Sequence, residues 1–195
     1  IGLTMTTHNN QQHYADTLYT LADQVLDLCQ QLGAQQAEVS LSQDTGFSAN
    51  VRLGEVETVE RTNDQGVAVT VYINQQKGTA STADLRAESL TETAAQACAI
   101  ARFTEADAAS GLADAHLMAT EVMDFELWHP NPITAEQGIA LALETEQAEL
   151  NQKNISNSDG ASYSSGLSTA IYANSHGFKG AERSTHYSIS CSLIA

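Results

Sequence analysis

The sequence contains little positive charge, little proline and few aromatic residues. Eight Lys and Arg stand against 24 Asp and Glu in 195 residues, which gives a formal net charge of -16. Nucleic-acid affinity depends on neutralising phosphates with basic side chains, so this composition argues against DNA or RNA binding. The first basic residue is Arg52, and no apolar run approaches the roughly 18 residues of a membrane helix, so neither a secretory leader nor a membrane span is predicted. The expected location is the cytoplasm.

Cysteine is also scarce, and its spacing does not fit a disulfide framework or a zinc site. Cys29, Cys98 and Cys191 are odd in number, far apart and flanked by apolar residues. A free cysteine packs as a small apolar side chain, so three buried, reduced thiols are predicted. Apolar residues make up 42% of the chain and charged residues 16%. That is enough apolar material to form a core, and it excludes disorder throughout.

Two stretches of the first half of the chain have helical periodicity. Residues 1–12 show no periodicity and are expected to be a disordered terminus. Apolar residues recur at helical spacing from about His13 to Leu32, and Gly33 stands where a left-handed C-terminal cap would fall. A second helix is predicted from about Ala87 to Phe103.

Between these helices the apolar period is two, which is typical of strands. The predicted strands are residues 37–41, 47–53, 55–61, 67–71 and 79–82, with turns near Asp44–Gly46, Asn63–Gly66 and Asn74–Gly78. A four- or five-stranded antiparallel meander between two helices predicts an α+β fold.

A second module is predicted after a mixed loop over residues 104–129. Both prolines of the chain follow this loop, at positions 130 and 132, and Thr134-Ala135-Glu136-Gln137 matches a capping box that would start a helix ending near Asn151. Alternating strands over 167–173 and 187–193 predict the opening of a second sheet. We therefore expect an N-terminal α+β domain over residues 13–120 and the first part of a central β-rich domain over residues 121–195.

The common catalytic and metal-binding motifs are missing from the sequence. None of the six histidines is followed by Glu, and no pair of them has helical ligand spacing. Gly160 precedes Ser162 by two residues, but the second glycine of a nucleophile elbow is absent. Glu55, Glu57 and Glu60 are more typical of a charged strand edge than of an acid–base pair. No catalytic, metal-binding or cofactor-binding residue is predicted, and peptide-contacting residues are unknown.

Eight strings of residues are more informative than the periodicities. They are residues 37–40, 46–57, 66–72, 77–85, 97–104, 111–114 (Gly-Leu-Ala-Asp), 127–130 (Leu-Trp-His-Pro) and 174–177 (Asn-Ser-His-Gly). In order and spacing they closely resemble the N-terminal part of the PmbA (TldE) branch of the TldD/PmbA family, over residues 14 to 195. Members of this family are more than twice as long, so we expect the C-terminal domain to be absent from this chain.

The resemblance implies a cytoplasmic bacterial metalloprotease system. In this family a TldD-type subunit carries the zinc motif His-Glu-x-x-x-His, and a PmbA-type subunit without that motif is its partner. The pair is expected to form a closed shell that admits unfolded peptides. No segment of this sequence matches the zinc motif, so no catalytic residue is carried over, and zinc is expected on the TldD-type partner and not on this chain.

The leading hypothesis is therefore the N-terminal part of a PmbA-type subunit that is not catalytic alone. Its expected partners are a TldD-type subunit and unfolded peptide, and self-association into a homo-oligomer is left open. Open strand edges capture extended peptides through main-chain hydrogen bonds, and the candidate edges are Val67–Tyr72 and Tyr187–Leu193. The alternative is a non-proteolytic regulatory module of the DNA gyrase modulator type. A third hypothesis, an independent enzyme, requires a site that the sequence does not show.

Overall fold

The computed structural model describes the backbone from Leu3 to Ala195 and the side chains from Thr17 onward. Its elements, in chain order, are α1 (Leu3–Gln31), β1 (Gln36–Arg52), β2 (Glu55–Ile73), β3 (Gln76–Thr82), α2 (Ala87–Phe103), a 3₁₀ turn (Ala115–Leu117), α3 (Ala135–Leu150), β4 (Asn157–Asn174) and β5 (Lys179–Ile194). The strands form one five-stranded antiparallel sheet in the order β3-β2-β1-β4-β5. The predicted α+β class is confirmed.

Helix α1 begins earlier than the periodicity predicts and ends where it predicts. Its assigned start at Leu3 takes in most of the segment expected to be disordered, because residues 3–12 contain no proline or glycine that would stop a helix. At the other end Gly33 has a φ of 91°, and the N–H of Ala34 donates to the carbonyl oxygen of Cys29 at 2.9 Å. This is the predicted left-handed C-terminal cap.

Two predicted turns are wrong, because the strands run through them. β1 is continuous through Asp44–Gly46, and β2 is continuous through Asn63–Gly66. Close packing between the strands leaves little space at Gly46, since a Cβ there would lie 2.5 Å from Thr62 Oγ1. The hairpin turn comes later, at Leu53 and Gly54, whose φ angles are 50° and 79°. Two long strands and one strand of seven residues, not four or five short ones, therefore separate α1 from α2.

The β2–β3 hairpin confirms the third predicted turn. Its register runs from Val67 opposite Thr82 to Ile73 opposite Gln76. Asn74 and Gln75 connect the strands with φ angles of 50° and 63°, as a two-residue type I′ turn requires.

The residues of the chain divide into two compact units. Unit 1 comprises Ile1–Gln43, Gln65–Asp124 and Thr169–Glu182, and unit 2 comprises Asp44–Asp64, Phe125–Ser168 and Arg183–Ala195. Both units draw residues from β1, β2, β4 and β5. The linear division into domains 13–120 and 121–195 stays a prediction.

Unit 1 contains a large apolar core between one face of its strands and the two helices α1 and α2. Alternate strand residues point into this core, and helical residues at three- and four-residue spacing complete it. The core residues include Val25, Cys29, Val39, Leu41, Val69, Val71, Leu90, Ala94, Cys98, Ile171 and Ala173. β4 contributes to the same core as β1 and is its neighbour in the sheet, so the prediction of a separate second sheet is wrong.

Unit 2 has a much smaller buried apolar cluster, under helix α3. Its buried members are Val51, Ala142, Ala161 and Tyr163. The predicted capping box is confirmed: Thr134 Oγ1 accepts from the N–H of Gln137 at 3.3 Å, and the Gln137 side chain accepts from the N–H of Thr134 at 2.8 Å. Over the described residues, no helix has the length and apolar content needed to span a membrane.

Candidate functional site

The outer edge of β5 is partly covered by the segment Leu127–Asn131. β5 is the last strand in the sheet order, so on one of its sides no strand of the described residues 3–195 pairs with it. On that side the N–H of Thr185 donates to the carbonyl oxygen of Leu127 at 3.0 Å. The hydroxyl of Tyr187 donates to the carbonyl oxygen of His129 at 2.9 Å and accepts from the N–H of Asn131 at 2.7 Å. The edge is therefore closed around Thr185 and Tyr187.

Beyond this cover, the β5 edge continues through residues 188–194. Pro130 and Pro132 lack an N–H, so the covering segment cannot continue as a paired strand. Residues 188–194 contain no charge and no proline, although charged residues and proline are what blunt most edges. Ile189 is 50% exposed and Ile194 is 46% exposed. This part of β5 is therefore an uncharged main-chain edge of unit 2.

One of the two predicted edges is wrong, and the other lies on an edge strand. β2 has β3 on one side and β1 on the other, so Val67–Tyr72 is an interior stretch whose backbone groups are already paired. Alternating apolar residues predict a strand but do not predict its place in the sheet. Tyr187–Leu193 belongs to β5, at the end of the sheet.

A cluster of polar side chains lies on the face of unit 1 that faces away from α1 and α2. The hydroxyls of Tyr72 and Tyr172 each donate to one carboxylate oxygen of Glu38, both at 2.8 Å. Burial raises the pKa of Tyr72 to about 12, with a further contribution from the Glu38 carboxylate. Asn174, which is 2% exposed, donates to the Tyr172 hydroxyl at 3.3 Å. We call Tyr72, Glu38 and Tyr172 the tyrosine bridge.

Two of the eight strings that carry the family resemblance, residues 111–114 and 174–177, lie next to each other beside this bridge. Gln36 accepts through its side-chain oxygen from the N–H of Leu112 at 2.9 Å, and its amide nitrogen lies 3.3 Å from His176 Nε2. The other ring nitrogen of His176 lies 3.1 Å from the carbonyl oxygen of Ala113. The Gly-Leu-Ala-Asp and Asn-Ser-His-Gly strings therefore attach the connection after α2 to the sheet.

A groove of about 760 Å³ lies on the same face of unit 1 as the tyrosine bridge. Tyr172 is the residue common to the bridge and the groove. The other lining residues are Ser40, Leu41, Ser42, Gln65, Gly66, Val67, Ala68, Ser81, Thr82, Ala83, Val122, Ala170, Ile171, Phe178, Gly180 and Glu182. Its size is in the range of ligand-binding clefts.

The residues considered for catalysis from the sequence are scattered. Glu55, Glu57 and Glu60 are exposed along β2, and Ser162 pairs with the Ser190 hydroxyl at 2.8 Å and not with a histidine. Among the described residues, no group of three or more His, Cys, Asp or Glu side chains is arranged to hold a metal ion.

Glu146 on α3 is a buried carboxylate that the sequence analysis missed. It is 1% exposed and accepts from the N–H groups of Leu53 and Gly54, both at 2.8 Å, and from the Ser158 hydroxyl at 2.5 Å. Burial alone would raise the pKa of Glu146, but the Ser158 bond and the two N–H donors outweigh it and lower the pKa below its usual range. Glu146 therefore closes the β1–β2 turn, which is a structural role. Its only sequence signal is a Glu at a position that falls on the buried face of α3.

The three thiols are free, as predicted, but not equally buried. Cys29 and Cys98 are fully buried in unit 1, and Cys191 is half-buried. Burial raises the pKa of Cys29 to about 12 and also raises the pKa of Cys98 and of Cys191. A thiolate is the reactive form of cysteine, so none of the three is poised as a nucleophile.

The fold of this chain is similar to the folds of known structures. A putative modulator of DNA gyrase from Bacteroides thetaiotaomicron matches with a TM-score of 0.83 at 24% identity, over 91% of this chain and 41% of that one. TldE from Thermococcus kodakarensis matches with a TM-score of 0.73 at 12% identity, over 89% of this chain and 39% of that one. At these identities the likeness concerns the fold.

Sequence comparisons supply the family. Residues 37–101 match PmbA/TldA metallopeptidase domain 1, and residues 128–195 match the PmbA/TldA metallopeptidase central domain. The chain is 42% identical over 170 residues to a metalloprotease PmbA homolog from Haemophilus influenzae, covering 87% of this chain and 38% of that protein. It is 39% identical over 160 residues to metalloprotease PmbA from Escherichia coli O157:H7, covering 82% of this chain and 36% of that protein. The chain spans less than two fifths of either relative, and it belongs to the PmbA/TldA metallopeptidase family as a protein of the PmbA (TldE) type.

Proposed function

We propose that this chain is the N-terminal part of a PmbA-type subunit of a cytoplasmic metalloprotease complex that processes unfolded peptides. In this proposal a TldD-type partner supplies the zinc and the catalytic groups, and the PmbA-type subunit supplies walls and peptide-binding edges. The observation that carries the proposal is the tandem match of residues 37–101 and 128–195 to two metallopeptidase domains. The name metalloprotease PmbA of relatives at 39–42% identity supports it.

The β5 edge supports the peptide-binding part of the proposal. A peptide that adds to a strand edge is bound through main-chain hydrogen bonds, so recognition depends little on its sequence. A protease for unfolded peptides requires that kind of recognition. The edge after Tyr187 is uncharged, and Ile189 offers an exposed apolar side chain beside it.

Backbone alternation identifies the residue of this edge to test. In an antiparallel strand, the N–H groups of every second residue point to the same side. Because the N–H of Thr185 points outward to Leu127, the N–H of Ile189 points outward too. Ile189→Pro therefore removes an outward donor and leaves the bonds to β4 in place, as edge prolines do.

The experiment uses the full-length protein mixed with a TldD-type subunit and an unstructured fluorogenic peptide. Chelator-sensitive hydrolysis in the mixture, and not with either subunit alone, is the expected result. Ile189→Pro should reduce hydrolysis about tenfold, the loss that follows from removing one or two main-chain hydrogen bonds. Ile189→Val, which keeps the N–H and most of the apolar surface, is the matched control and should behave as the natural protein.

Each other result argues against part of the proposal. Equal rates for Ile189→Pro and Ile189→Val would overturn peptide capture at this edge. Hydrolysis by the full-length protein alone would show a catalytic site in it. No hydrolysis in any combination, together with a stable gyrase complex in a pull-down, would favour the regulatory module over the protease subunit.

A further inference from the structure

We propose that the groove of unit 1 is a second peptide-binding site, and that it takes an extended segment carrying a basic side chain. This inference rests on the proposed peptide-processing function and names the substrate class for a surface distinct from the β5 edge.

The floor of the groove is made of small residues at outward-facing positions of the strands. The residues that alternate with them along the same strands, such as Val39 and Val69, point to the opposite face, where α1 and α2 cover them. The floor residues are Ser40, Ser42, Gly66, Ala68, Ala170 and Gly180. Small side chains let a second main chain approach the sheet closely, whereas large ones at the same positions would fill the space.

The length of the groove fits an extended peptide. Its lining residues come from all five strands of the sheet, from β3 at one edge to β5 at the other. Neighbouring strands lie about 4.8 Å apart, so crossing from the first to the fifth strand covers about 19 Å, and an extended chain rises about 3.3 Å per residue. Five or six extended residues would therefore span the groove.

One wall of the groove is held rigid before any ligand arrives. Tyr172 packs against Phe178 with ring centroids 5.9 Å apart and planes tilted by 50°. The Tyr172 hydroxyl is fixed by Glu38 at 2.8 Å and by Asn174 at 3.3 Å. A wall whose rotamers are already set costs little conformational entropy on binding. Val122 also lines the groove, beside Gly180.

The negative charge of Glu182 in the groove favours a positively charged occupant. Glu182 is the one charged side chain among the described residues that line it, and neither of the two ion pairs found in the described part of the chain involves Glu182. The sequence carries a net charge of -16, so long-range attraction favours a basic occupant over an acidic one. A peptide with a Lys or Arg side chain is complementary.

The test measures binding of labelled decapeptides to the full-length protein by fluorescence anisotropy. One peptide carries a central Lys-Arg pair, and two others have Ser-Ser or Glu-Glu at those positions. Ala170→Trp fills the floor of the groove at an exposed position and should weaken binding of the basic peptide about tenfold or more, equivalent to about 1.4 kcal/mol. Ala95→Trp, at an exposed alanine on α2, is the matched control and should leave the affinity unchanged.

A second variant tests the charge separately from the shape. Glu182→Gln should weaken the basic peptide about threefold, as expected for an exposed ion pair, and should leave the Ser-Ser peptide unaffected. Equal affinities for Ala170→Trp and Ala95→Trp, or equal effects of Glu182→Gln on the basic and neutral peptides, would overturn the site.

The binding test separates the failure of this inference from failure of the proposed function. Chelator-sensitive hydrolysis with a partner subunit, together with unchanged binding in Ala170→Trp, would leave the protease subunit standing and reject the groove. Peptide binding that Ala170→Trp abolishes, without hydrolysis in any mixture, would keep the groove and reject the protease role.

Discussion

Unit 1 and unit 2 are stabilised in different ways. Unit 1 buries a large apolar core between its strands and two helices, and burial raises the pKa of its two thiols. Unit 2 has a buried cluster of only four apolar residues. Its turn at Leu53–Gly54 depends on the ionised side chain of Glu146 and its helix on the Thr134 capping box.

The difference shows what replaces apolar burial when little of it is available. Each fully buried aliphatic side chain contributes about 1.5–3 kcal/mol, and unit 1 has many of them. In unit 2, hydrogen bonds to the Glu146 carboxylate fix the β1–β2 turn. The hydrogen bonds of the Thr134 capping box fix the start of α3. We expect unit 1 to be sensitive to changes of volume and unit 2 to changes of polar groups and of pH.

The largest effect is expected from Gly78→Ala in unit 1. Gly78 on β3 lies directly under α2, and an added Cβ would overlap the backbone at Ala97 and Ala101. Backbone cannot rotate away as a side chain can, so the helix must separate from the strand, at a cost of about 3 kcal/mol or more. Urea unfolding followed by circular dichroism would measure this loss.

Gly66→Ala is the control for that substitution. Gly66 lies on the neighbouring strand β2, and an added Cβ would be 3.8 Å from the carbonyl oxygen of Thr82, which is an ordinary contact. Its unfolding midpoint should stay close to that of the natural chain. Equal destabilisation by both substitutions would show that close packing of α2 on β3 is not the cause.

The same contrast explains what could be predicted from the sequence. Helix α2 and the start of α3 were located correctly, because helical periodicity and a capping box are local signals. The turns at Asp44–Gly46 and Asn63–Gly66 were wrong, because their turn-forming residues are held extended by pairing with distant strands. The interior position of Val67–Tyr72 depends on that pairing too.

The polar features of the site were the least predictable. Glu146 shares the buried face of α3 with Gly138 and Ala142, but only the fold brings Leu53 and Gly54 to its carboxylate. The tyrosine bridge joins residue 38 to residues 72 and 172. No spacing rule links positions so far apart in the chain, so a single sequence cannot indicate them.

Glu146→Gln is the matching test of unit 2. The amide has one acceptor oxygen where the carboxylate has two, so at least one of the N–H groups of Leu53 and Gly54 loses its partner. A hydrogen bond to a charged group contributes about 1.5–3 kcal/mol, so the fold should lose about that much stability. Amide exchange at Leu53 and Gly54 should become faster, and Glu144→Gln, at an exposed position on the same helix, should change neither exchange nor stability.

The Glu146 effect should depend on pH in a defined direction. Because the folded-state pKa of Glu146 is lowered, its ionised form stabilises the fold above its unfolded-state pKa of about 4.3. That contribution is lost as the pH falls through the lowered folded-state pKa. The difference in urea midpoint between the natural chain and Glu146→Gln should be constant above about pH 5 and shrink below about pH 4. A difference that grows on acidification would contradict this assignment.

A smaller effect is expected from Thr134→Ala at the start of α3. The substitution removes the acceptor for the N–H of Gln137 and should destabilise unit 2 by about 1 kcal/mol. Thr145→Ala, within the same helix, removes only a hydroxyl that bonds back to Leu141 and should be close to neutral, because alanine favours helix. Thermal unfolding of the two variants would measure the difference, and equal shifts would argue that the cap is unimportant.

The smallest perturbation is chemical labelling of the thiols, and it reports on both units at once. Cys191 is half-buried in unit 2, whereas Cys29 and Cys98 are fully buried in unit 1, and the pKa of Cys29 is raised to about 12 by burial. At pH 8 one thiol per chain should therefore react first with a colorimetric disulfide reagent, and the other two only after unfolding in urea. In Gly78→Ala, Cys29 and Cys98 should become reactive without urea, because they lie in the core that the substitution opens. If Cys29 reacted as fast as Cys191 in the natural chain, the core of unit 1 would be open to solvent, and the contrast between the units would fail.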